Sequence, residues 1–398
     1  MVGSALGCAL AQKGFRVAVI ELREPVRDWP REEVDLRVSA LTRASQRILE
    51  NLGVWTRMEQ MRVSPYRQMT VWDAGGRGSV RFDAADIGEP DLGHIVENRV
   101  VQLALWQQLG REEKALRICP DQVERMELKS DRPRLVLSSG QQIRADVIVG
   151  AEGARSPVRE MAGIASSGWA YDQTAIVATV WPQQHHGEVA RQRFLPTGPL
   201  AFLPIDDGRC SIVWSTSMPE AERLMALDDE SFGHELAEAS QQVLGGINRV
   251  GPRAAFPLRL RHADHYVLPG LALVGDAAHG IHPLAGQGVN LGLLDAAALV
   301  DVLLAARQAG RALGSMATLR RYERARKGAN MEMLAAMDLF KRLFSNKNPP
   351  LTLARNLGLG LADASGPLKR LVVRRAMGLI GELPTLARPR FEHSPNRS

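Results

Sequence analysis

Two patterns of apolar and polar positions alternate along the chain. In one, apolar residues recur every three or four positions and are followed by short apolar runs, which is typical of alternating helices and strands. In the other, short apolar runs are separated by turn residues, which is typical of a β-sheet. Segments with the first pattern are interrupted by segments with the second, and this order predicts a discontinuous α/β domain with an inserted sheet. The predicted segments are 1–66, 95–168 and 265–340 for the α/β domain, 67–94 and 169–264 for the sheet domain, and 341–398 for a helical C-terminal region ending in a disordered tail.

The same pattern places individual elements. Asp207-Gly208 is a hairpin turn signal between two of the predicted strands. Helices are predicted over 44–52, 100–109 and 289–306, and strands over 69–72, 80–82, 146–150, 173–181, 189–194, 200–205, 210–215 and 271–274.

Composition indicates the class of protein and its cellular compartment. With 398 residues, 45% hydrophobic and 24% charged, the chain is long enough for two or three domains of a soluble globular protein. Its three cysteines lie far apart without C-x-x-C spacing, which indicates neither a disulfide framework nor a zinc site. No run reaches the roughly 18 apolar residues of a membrane span and no signal peptide is evident, so a cytoplasmic protein is expected.

Charge suggests few partners. The net charge is +6 and the pI is about 9.5, but the arginines are scattered and no aromatic-interleaved basic block occurs. Nucleic-acid binding is therefore not predicted. Residues 351–380 differ, because Leu, Val and Ile there are interleaved with Arg and Lys. They predict either basic amphipathic helices at the surface of the inner membrane or a solvated helical cap.

The first 24 residues resemble the second half of a dinucleotide-binding unit. Gly3 opens a small-residue helix, an apolar strand covers 17–20, and Glu21 ends it. In such units the glycine turn receives a pyrophosphate and the carboxylate binds a ribose hydroxyl. The equally simple alternative is that Gly3 is a packing glycine and Glu21 a surface acid.

The strongest chemical signal is LALVGDAAHGIHPLAGQGVNLGLLD, residues 271–295. An apolar strand delivers Asp276 to its carboxyl end, and a Gly-rich turn at 285–288 opens a helix. Backbone N–H groups and the positive helix end therefore face one spot, which favours an anionic ligand group. His279 and His282 lack enough further ligands nearby, so no metal site is predicted.

These segments resemble a known family. DVIVGAEGARSPVRE at 146–160 and VGDAAHGIHPLAGQGVNLG at 274–292 look like the second and third fingerprints of the FAD-dependent aromatic hydroxylases, and DLRVSALTRAS and LGHIVENRV are similar to the ubiquinone-biosynthesis hydroxylases among them. The resemblance covers residues 1 to about 380. It implies a Rossmann-like FAD-binding domain of the GxGxxG type, with an inserted sheet domain that binds the substrate.

The resemblance also implies a role for particular residues. Those implied to bind the cofactor are Gly3 at the FAD pyrophosphate, Glu21 at the adenosine ribose, Arg37 and Gln102 on the flavin side, Asp276 at the ribityl chain, and Gly286, Gln287, Gly288 and Asn290 at the isoalloxazine. Pro283 and Gly286 are implied to lie at the flavin face where oxygen reacts, and are the catalytic candidates.

The implied reaction is ring hydroxylation of a polyprenylphenol in ubiquinone biosynthesis. NAD(P)H reduces FAD, O₂ adds to the reduced flavin as a C4a-hydroperoxide, and one oxygen passes to the phenol ring. The helix that begins at Gly288 is expected to stabilise the anionic reduced flavin. The implied partners are the prenylated phenol and O₂, with a membrane surface or a quinone-biosynthesis complex as further candidates; an oligomer is compatible with the sequence.

The chain departs from the family pattern at two places. Glu152-Gly153 stands where the family has Asp-Gly, so handling of the nicotinamide is open. Relatives carry a strand and a Gly-x-Gly ahead of the position of Met1. Met1 is a residue that commonly occupies that place in the family, so the preferred interpretation is an internal Met taken as the start. Otherwise the neighbouring strands expose unpaired edges, and we expect the chain as written to bind FAD poorly and to recover binding when about 10 upstream residues are restored.

Alternatives remain at the level of function and substrate. One is a non-catalytic scaffold of a quinone-biosynthesis assembly; another is hydroxylation of a different ring position or of a soluble phenolic acid. Arg191 and Arg193 are candidates to clamp the carboxylate of such an acid. The candidate walls of an apolar pocket, each of which is alternatively a core residue, are Phe202, Leu203, Pro204, Ile212 and Trp214.

Overall fold

The structure is a computed structural model, and it describes residues 1–76, 78–128, 132–280, 288–345 and 366–389. Its α-helices are α1 (Val2–Gln12), α2 (Arg43–Asn51), α3 (Trp55–Met61), α4 (Asn98–Leu109), α5 (Pro157–Met161), α6 (Met218–Ala226), α7 (Asp229–Ala239), α8 (Gly288–Gln308), α9 (Met316–Ser345) and α10 (Gly366–Ala376). Its strands are β1 (Val17–Ile20), β2 (Val38–Thr42), β3 (Ser64–Tyr66), β4 (Gln68–Asp73), β5 (Ser79–Asp83), β6 (Gly93–Glu97), β7 (Ala115–Ile118), β8 (Val123–Glu127), β9 (Arg134–Leu137), β10 (Gln142–Arg144), β11 (Ile148–Gly150), β12 (Ser166–Pro182), β13 (Val189–Leu195), β14 (Gly198–Pro204), β15 (Cys210–Ser217), β16 (Ile247–Ala263), β17 (Val267–Leu268), β18 (Leu271–Leu273) and β19 (His279–Gly280).

One large sheet gathers the alternating segments of the sequence. Its eight strands run in the order β19, β16, β12, β15, β14, β13, β4 and β5. Because successive side chains point to opposite faces of a strand, the sheet has two distinct faces. One face packs against α6 and α7, where Phe202, Ile212 and Trp214 form a core with Leu224 and Phe232.

The other part of the molecule packs helices around short parallel strands. β1 pairs in parallel with β7, and β11 pairs in parallel with β18. Helices α1, α4 and α8 share one apolar core with these strands. The contact between α1 and α8 is close because residue 292 is glycine: a Cβ there would lie 2.6 Å from Cγ2 of Val2.

The two parallel pairs form separate sheets. Within the part of the chain that the structure describes, β1 is paired only with β7, and β11 is paired with β18 alone. Side chains of both strands, among them Val17, Val19, Ile148 and Val149, line one cavity. The edges of β1 and β11 thus border the same open space.

The sequence pattern locates the main elements. Helices α2, α4 and α8 and strands β4, β5, β11 to β15 and β18 match the predicted positions within a few residues. The helix pair α6 and α7 and the long strand β16 were not predicted. The large sheet draws its strands from 68–83 and 166–280, and β6 joins β2 and β3 instead. We keep the two-domain division as a proposal on this basis.

Helix α8 meets the length and hydropathy expected of a membrane span, although no such span was predicted. Its 21 residues have a mean hydropathy of 1.9 in the most apolar window, and 67% of that window is buried inside the protein. A helix that is apolar on all sides and surrounded by protein belongs to a core. We therefore describe α8 as a core helix.

Candidate cofactor and substrate site

A cavity of about 1860 Å³ lies between the parallel strands and the large sheet. Its walls come from the N-terminus of α1, from β1 and β11, from the start of α8, and from the face of the large sheet opposite α6 and α7. Strand ends and helix N-termini of an α/β unit meet ligands at such a place.

Most of the predicted cofactor residues that the structure describes lie on this cavity. They come from six different parts of the chain, which the fold brings to one space. The cavity-lining members are Gly3, Glu21, Arg37, Gln102, Asp276 and Gly288. Pro283, Gly286 and Gln287 lie outside the described residues.

The N-terminus of α1 is open to the cavity. Met1, Val2, Gly3 and Ser4 line it, and no side chain caps the helix. The first N–H groups of a helix have no partner within it and carry the positive end of its dipole. This end of α1 therefore fits an anionic group such as a pyrophosphate.

Asp276, whose neighbour Gly275 packs against Val2 at the N-terminus of α1, provides a carboxylate on the same cavity. Its residue is exposed at the cavity, yet the protein around it raises the pKa of the carboxyl by desolvation; His279 and Arg37 partly offset that effect. A carboxylate of this kind can accept hydrogen bonds from ligand hydroxyl groups. Glu21, at the end of β1, offers a second carboxylate on the same cavity.

The Asn290 side chain is engaged within the protein. Its Oδ1 accepts hydrogen bonds from Thr42 N at 3.0 Å and Ser45 Oγ at 2.6 Å, and its Nδ2 donates to Ala40 O at 2.8 Å. The residue is 3% exposed. These bonds join the amide to β2 and α2, and β2 forms part of the cavity wall through Val38 and Ser39. The implied role of Asn290 at the isoalloxazine stays a proposal.

The Glu152 carboxylate contacts Ser156, the residue that caps helix α5. Its Oε2 accepts a hydrogen bond from Ser156 Oγ at 2.8 Å, and the same Ser156 oxygen caps α5 by accepting from Arg159 N at 3.1 Å. Burial raises the pKa of the Glu152 carboxyl, against the effect of Ser156. Since Glu152 also lines the cavity, this acidic position remains next to the ligand space.

The sheet contributes an apolar wall of small side chains. Ala175, Val177, Leu203, Ser211 and Val213 line the cavity. Val213 lies between Val177 on β12 and Ala201 on β14, so the wall continues across three strands.

Strand alternation corrects three candidate wall residues. Phe202, Ile212 and Trp214 are buried on the opposite face, in the core with α6 and α7. They alternate along β14 and β15 with Leu203 and Val213, which are equally apolar, so residue order alone could not show which face meets the cavity. Leu203 is on the wall as predicted. Pro204 is buried and is not among the cavity-lining residues.

Neither candidate carboxylate clamp lies on the cavity. Arg191 donates to His186 O at 2.8 Å and Val189 O at 3.1 Å, and Arg193 donates to Ala239 O, on α7, at 2.6 Å. Neither residue lines the cavity. Both guanidinium groups are engaged with backbone carbonyls elsewhere.

Sequence reasoning missed a buried polar cluster next to the site. Asp295 is 0% exposed within α8 and contacts His279 and Arg326. The available signal was a carboxylate set among apolar residues of a helical run, LGLLDAAALV at 291–300, since such a residue is seldom buried without a partner.

Comparison with known proteins agrees with this geometry. The family described as "FAD binding domain" matches residues 1–336. The chain is 44% identical over 379 residues to the 3-demethoxyubiquinol 3-hydroxylase of Escherichia coli (strain K12), covering 95% of this chain and 96% of the relative. It is 36% identical over 424 residues to the mitochondrial ubiquinone biosynthesis monooxygenase COQ6 of Homo sapiens, covering 94% and 90%.

Solved structures share the fold. The p-nitrophenol 4-monooxygenase PnpA from Pseudomonas putida DLL-E4 superposes with a TM-score of 0.77 over 96% of both chains, at 19% identity. PqsL from Pseudomonas aeruginosa, a probable FAD-dependent monooxygenase by its description, gives a TM-score of 0.73 over 90% of this chain and 96% of that one, at 24% identity.

The residues present fit FAD. An uncapped helix N-terminus suits a pyrophosphate, carboxylates on two walls suit ribose and ribityl hydroxyls, and a second helix N-terminus at Gly288 faces the same cavity. With FAD as cofactor and NAD(P)H as co-substrate, the chain belongs to the FAD-dependent ubiquinone-biosynthesis hydroxylases, a family of flavoprotein monooxygenases.

Proposed function

We propose that this enzyme hydroxylates the aromatic ring of a prenylated phenol or quinol on the way to ubiquinone. The observation that carries the proposal is the apolar wall formed by Ala175, Val177, Leu203 and Val213, together with the absence of Arg191 and Arg193 from the cavity lining. A neutral ring with an apolar tail fits such a wall, whereas a carboxylate finds no cation among these four side chains; the cavity-lining Arg37 and Arg259 lie outside this wall.

When bound, the reduced flavin supplies the chemistry that activates O₂. In our proposal the chain's own residues bind and orient it. Gly3 and the N-terminus of α1 hold the pyrophosphate, and Glu21 holds the adenosine ribose. Asp276 holds the ribityl hydroxyls.

We place Arg37 and Gln102 on the flavin side and the N-terminus of α8, at Gly288, beside the ring. The apolar sheet face keeps water away from the reacting atoms. Pro283, Gly286 and Gln287 stay proposed for the oxygen-reactive face on the strength of the sequence motif alone.

The ring position is the finer part of the proposal. The sequence motifs suggested a 2-polyprenylphenol hydroxylase, whereas the Escherichia coli relative is named for a demethoxyubiquinol and the 3-position. Both substrates are prenylated rings with a phenolic oxygen, and the wall described above fits either. The position hydroxylated is therefore an outcome of the assay.

A turnover assay tests the proposal. The purified protein, loaded with FAD, is given NADH or NADPH, O₂ and one of three substrates: a short-chain 2-prenylphenol, a short-chain demethoxyubiquinol, or 4-hydroxybenzoate as the acid control. We expect hydroxylated product only from the prenylated substrates, with one ¹⁸O atom incorporated from ¹⁸O₂. Equal turnover of the acid would contradict the substrate class. No flavin reduction and no product with any substrate would favour the scaffold alternative, whereas flavin reduction with peroxide release and no product would contradict the substrate class.

A wall variant makes this assay specific. Val213→Phe narrows the cavity at its apolar face and should lower kcat/KM for the prenylated substrate about 10-fold, since a misplaced ring loses alignment with the reacting oxygen. Met218→Phe, at a residue that is 50% exposed on α6, is the matched control and should leave kcat/KM unchanged. Equal losses in the two variants would argue against the wall as the substrate surface.

A further inference from the structure

The buried polar cluster beside Asp276 is centred on the carboxylate of Asp295. The Asp295 carboxylate accepts four hydrogen bonds: from Gly275 N at 3.1 Å and His279 Nε2 at 2.5 Å on Oδ2, and from Arg326 Nε at 2.8 Å and Asn330 Nδ2 at 3.1 Å on Oδ1. Both Asp295 oxygens are thus fully used. One oxygen faces the turn that carries Asp276, and the other faces α9.

The turn over residues 275–279, which carries Asp276, has an unusual backbone conformation that Asp295 stabilises. Gly275 has φ of +60° in the left-handed region and directly precedes Asp276. Its peptide orientation decides where the Asp276 carboxylate points. The N–H of Gly275 is held by Asp295, and His279, which ends the same turn, is held by the same oxygen. Asp295 therefore fixes the turn at both ends.

The cluster is electrostatically self-contained. Burial alone would raise the pKa of Asp295, but His279 and Arg326 outweigh burial and hold the pKa well below its ordinary value. Asp295 is 0% exposed and Arg326 is 6% exposed. A buried carboxylate with four donors is rigid, because any rotation leaves a donor without a partner.

We infer that Asp295 is a positioning residue for the flavin site. Through the N–H of Gly275 and the imidazole of His279, it aims the Asp276 carboxylate into the cavity, and Arg326 and Asn330 lock it from α9. Asp295 itself is not among the cavity-lining residues. The inference rests on the proposed role of Asp276 at FAD.

A double-mutant cycle on FAD affinity tests this inference. We measure the FAD dissociation constant of the full-length apoprotein by flavin fluorescence for the wild type, Asp295→Asn, Asp276→Asn and the double variant. Losing a charge-assisted hydrogen bond should raise the dissociation constant about 10- to 100-fold in each single variant. If Asp295 acts through Asp276, the double variant binds no more weakly than Asp276→Asn, within about 3-fold.

Outcomes against the inference are distinct. Penalties that multiply in the double variant indicate a general structural role for Asp295 and overturn the inference. An Asp276→Asn variant with unchanged affinity also overturns it, but leaves the hydroxylase proposal standing, since that proposal is read from product formation.

The matched control is Asp301→Asn. Asp301 lies on the same helix and accepts a backbone hydrogen bond, from Thr385 N at 2.8 Å, but does not line the cavity. The dissociation constant of this variant should equal that of the wild type. A loss as large as that of Asp295→Asn would overturn the inference.

A second pair of variants and a second measurement cover a failure of Asp295→Asn to fold. His279→Gln keeps an N–H donor to Asp295 and should retain most of the FAD affinity, whereas His279→Leu should not. In the apoprotein, amide hydrogen exchange over residues 274–280 should speed up at least 10-fold in His279→Leu and not in Asp301→Asn. Unchanged exchange in His279→Leu would overturn the inference independently of FAD binding.

Discussion

At the scale of single residues, the protein buries a histidine in a way that links stability to pH. His94 packs edge-on against Trp55, with ring centroids 5.0 Å apart, and its Nδ1 has no hydrogen-bond partner among the residues that the structure describes. Burial, and then the nearby Arg43, lower its pKa to about 4. Asp91 lies 3.7 Å from this imidazole, and burial raises the pKa of that carboxyl.

The sign of the effect follows from proton counting. The unfolded chain protonates this histidine near pH 6.5 and the folded protein only near pH 4, so the unfolded state binds more protons between these values. We predict that the free energy of unfolding falls as the pH falls through this window, by up to roughly 3 kcal/mol from His94 alone. Asp91 opposes part of that loss.

Two variants isolate the contribution of His94. Urea unfolding at pH 7, 6 and 5 should show a smaller loss of stability on acidification in His94→Gln than in the wild type. His234→Gln, at an exposed position on α7, should behave as the wild type does. The idea fails if His94→Gln keeps the full pH dependence.

At the scale of elements, α10 is anchored on one side and open on the other. Val373 and Met377 are buried in a cluster that also contains Ala201 and Leu203, and the helix lies against the turn Ala84–Ile87, where Arg374 Nη2 donates to Ile87 O at 3.3 Å. On its open side Leu371 is 54% and Val372 50% exposed. Arg370, Arg374 and Arg375 are exposed on the same helix.

We propose on this basis that α10 rests on an anionic membrane surface, from which a prenylated substrate would enter. Exposed aliphatic residues flanked by arginines suit the interface of such a membrane. Val373 and Met377 share an apolar cluster with Leu203, and this cluster connects that interface to the apolar wall.

A vesicle experiment tests α10. Co-sedimentation with phosphatidylglycerol-containing vesicles should fall about 10-fold when Leu371→Glu and Val372→Glu are combined, and binding of the wild type should weaken as salt is raised. The matched control combines Val26→Glu, in the segment between β1 and β2, with Met218→Glu on α6; both residues are exposed and apolar. Equal loss in both double variants, or wild-type binding to neutral vesicles alone, would refute this role.

At the scale of the whole molecule, the space between β1 and β11 is the most consequential feature. Backbone groups on a strand edge need partners, and these two edges border one cavity that is also lined by the residues proposed to bind FAD. A strand paired with either edge would therefore form part of the wall around that ligand space.

A strand supplied in this space should improve FAD binding. We predict that joining about 10 residues with an apolar strand sequence ahead of Met1, the length of a strand and a turn, raises bound FAD toward one per chain and raises the melting temperature. A Gly/Ser-rich extension of equal length is the control and should do neither. Equal FAD occupancy with and without the apolar extension would contradict the prediction.

The sequence could predict what depends on periodicity and on motifs. The periodicity of apolar positions located most helices and strands. The order of residues in the motif located the turn at Asp276 and the helix at Gly288. It could not predict which face of β15 meets the cavity, since Ile212 and Val213 are equally apolar. The partner of Asp295 was also out of reach, because Arg326 is brought to it by tertiary packing of α9 on α8.

The two-faced sheet has a consequence for how this enzyme can change. Side chains that hold the sheet to α6 and α7 alternate, residue by residue, with those that meet the cavity. A substitution at Val177 or Val213 therefore reshapes the ligand space while the core around Trp214 keeps its packing. In such an architecture the range of substrates can change with little loss of stability. Randomising only the cavity-facing positions of β12, β14 and β15 is therefore a direct way to obtain variants that hydroxylate other aromatic rings.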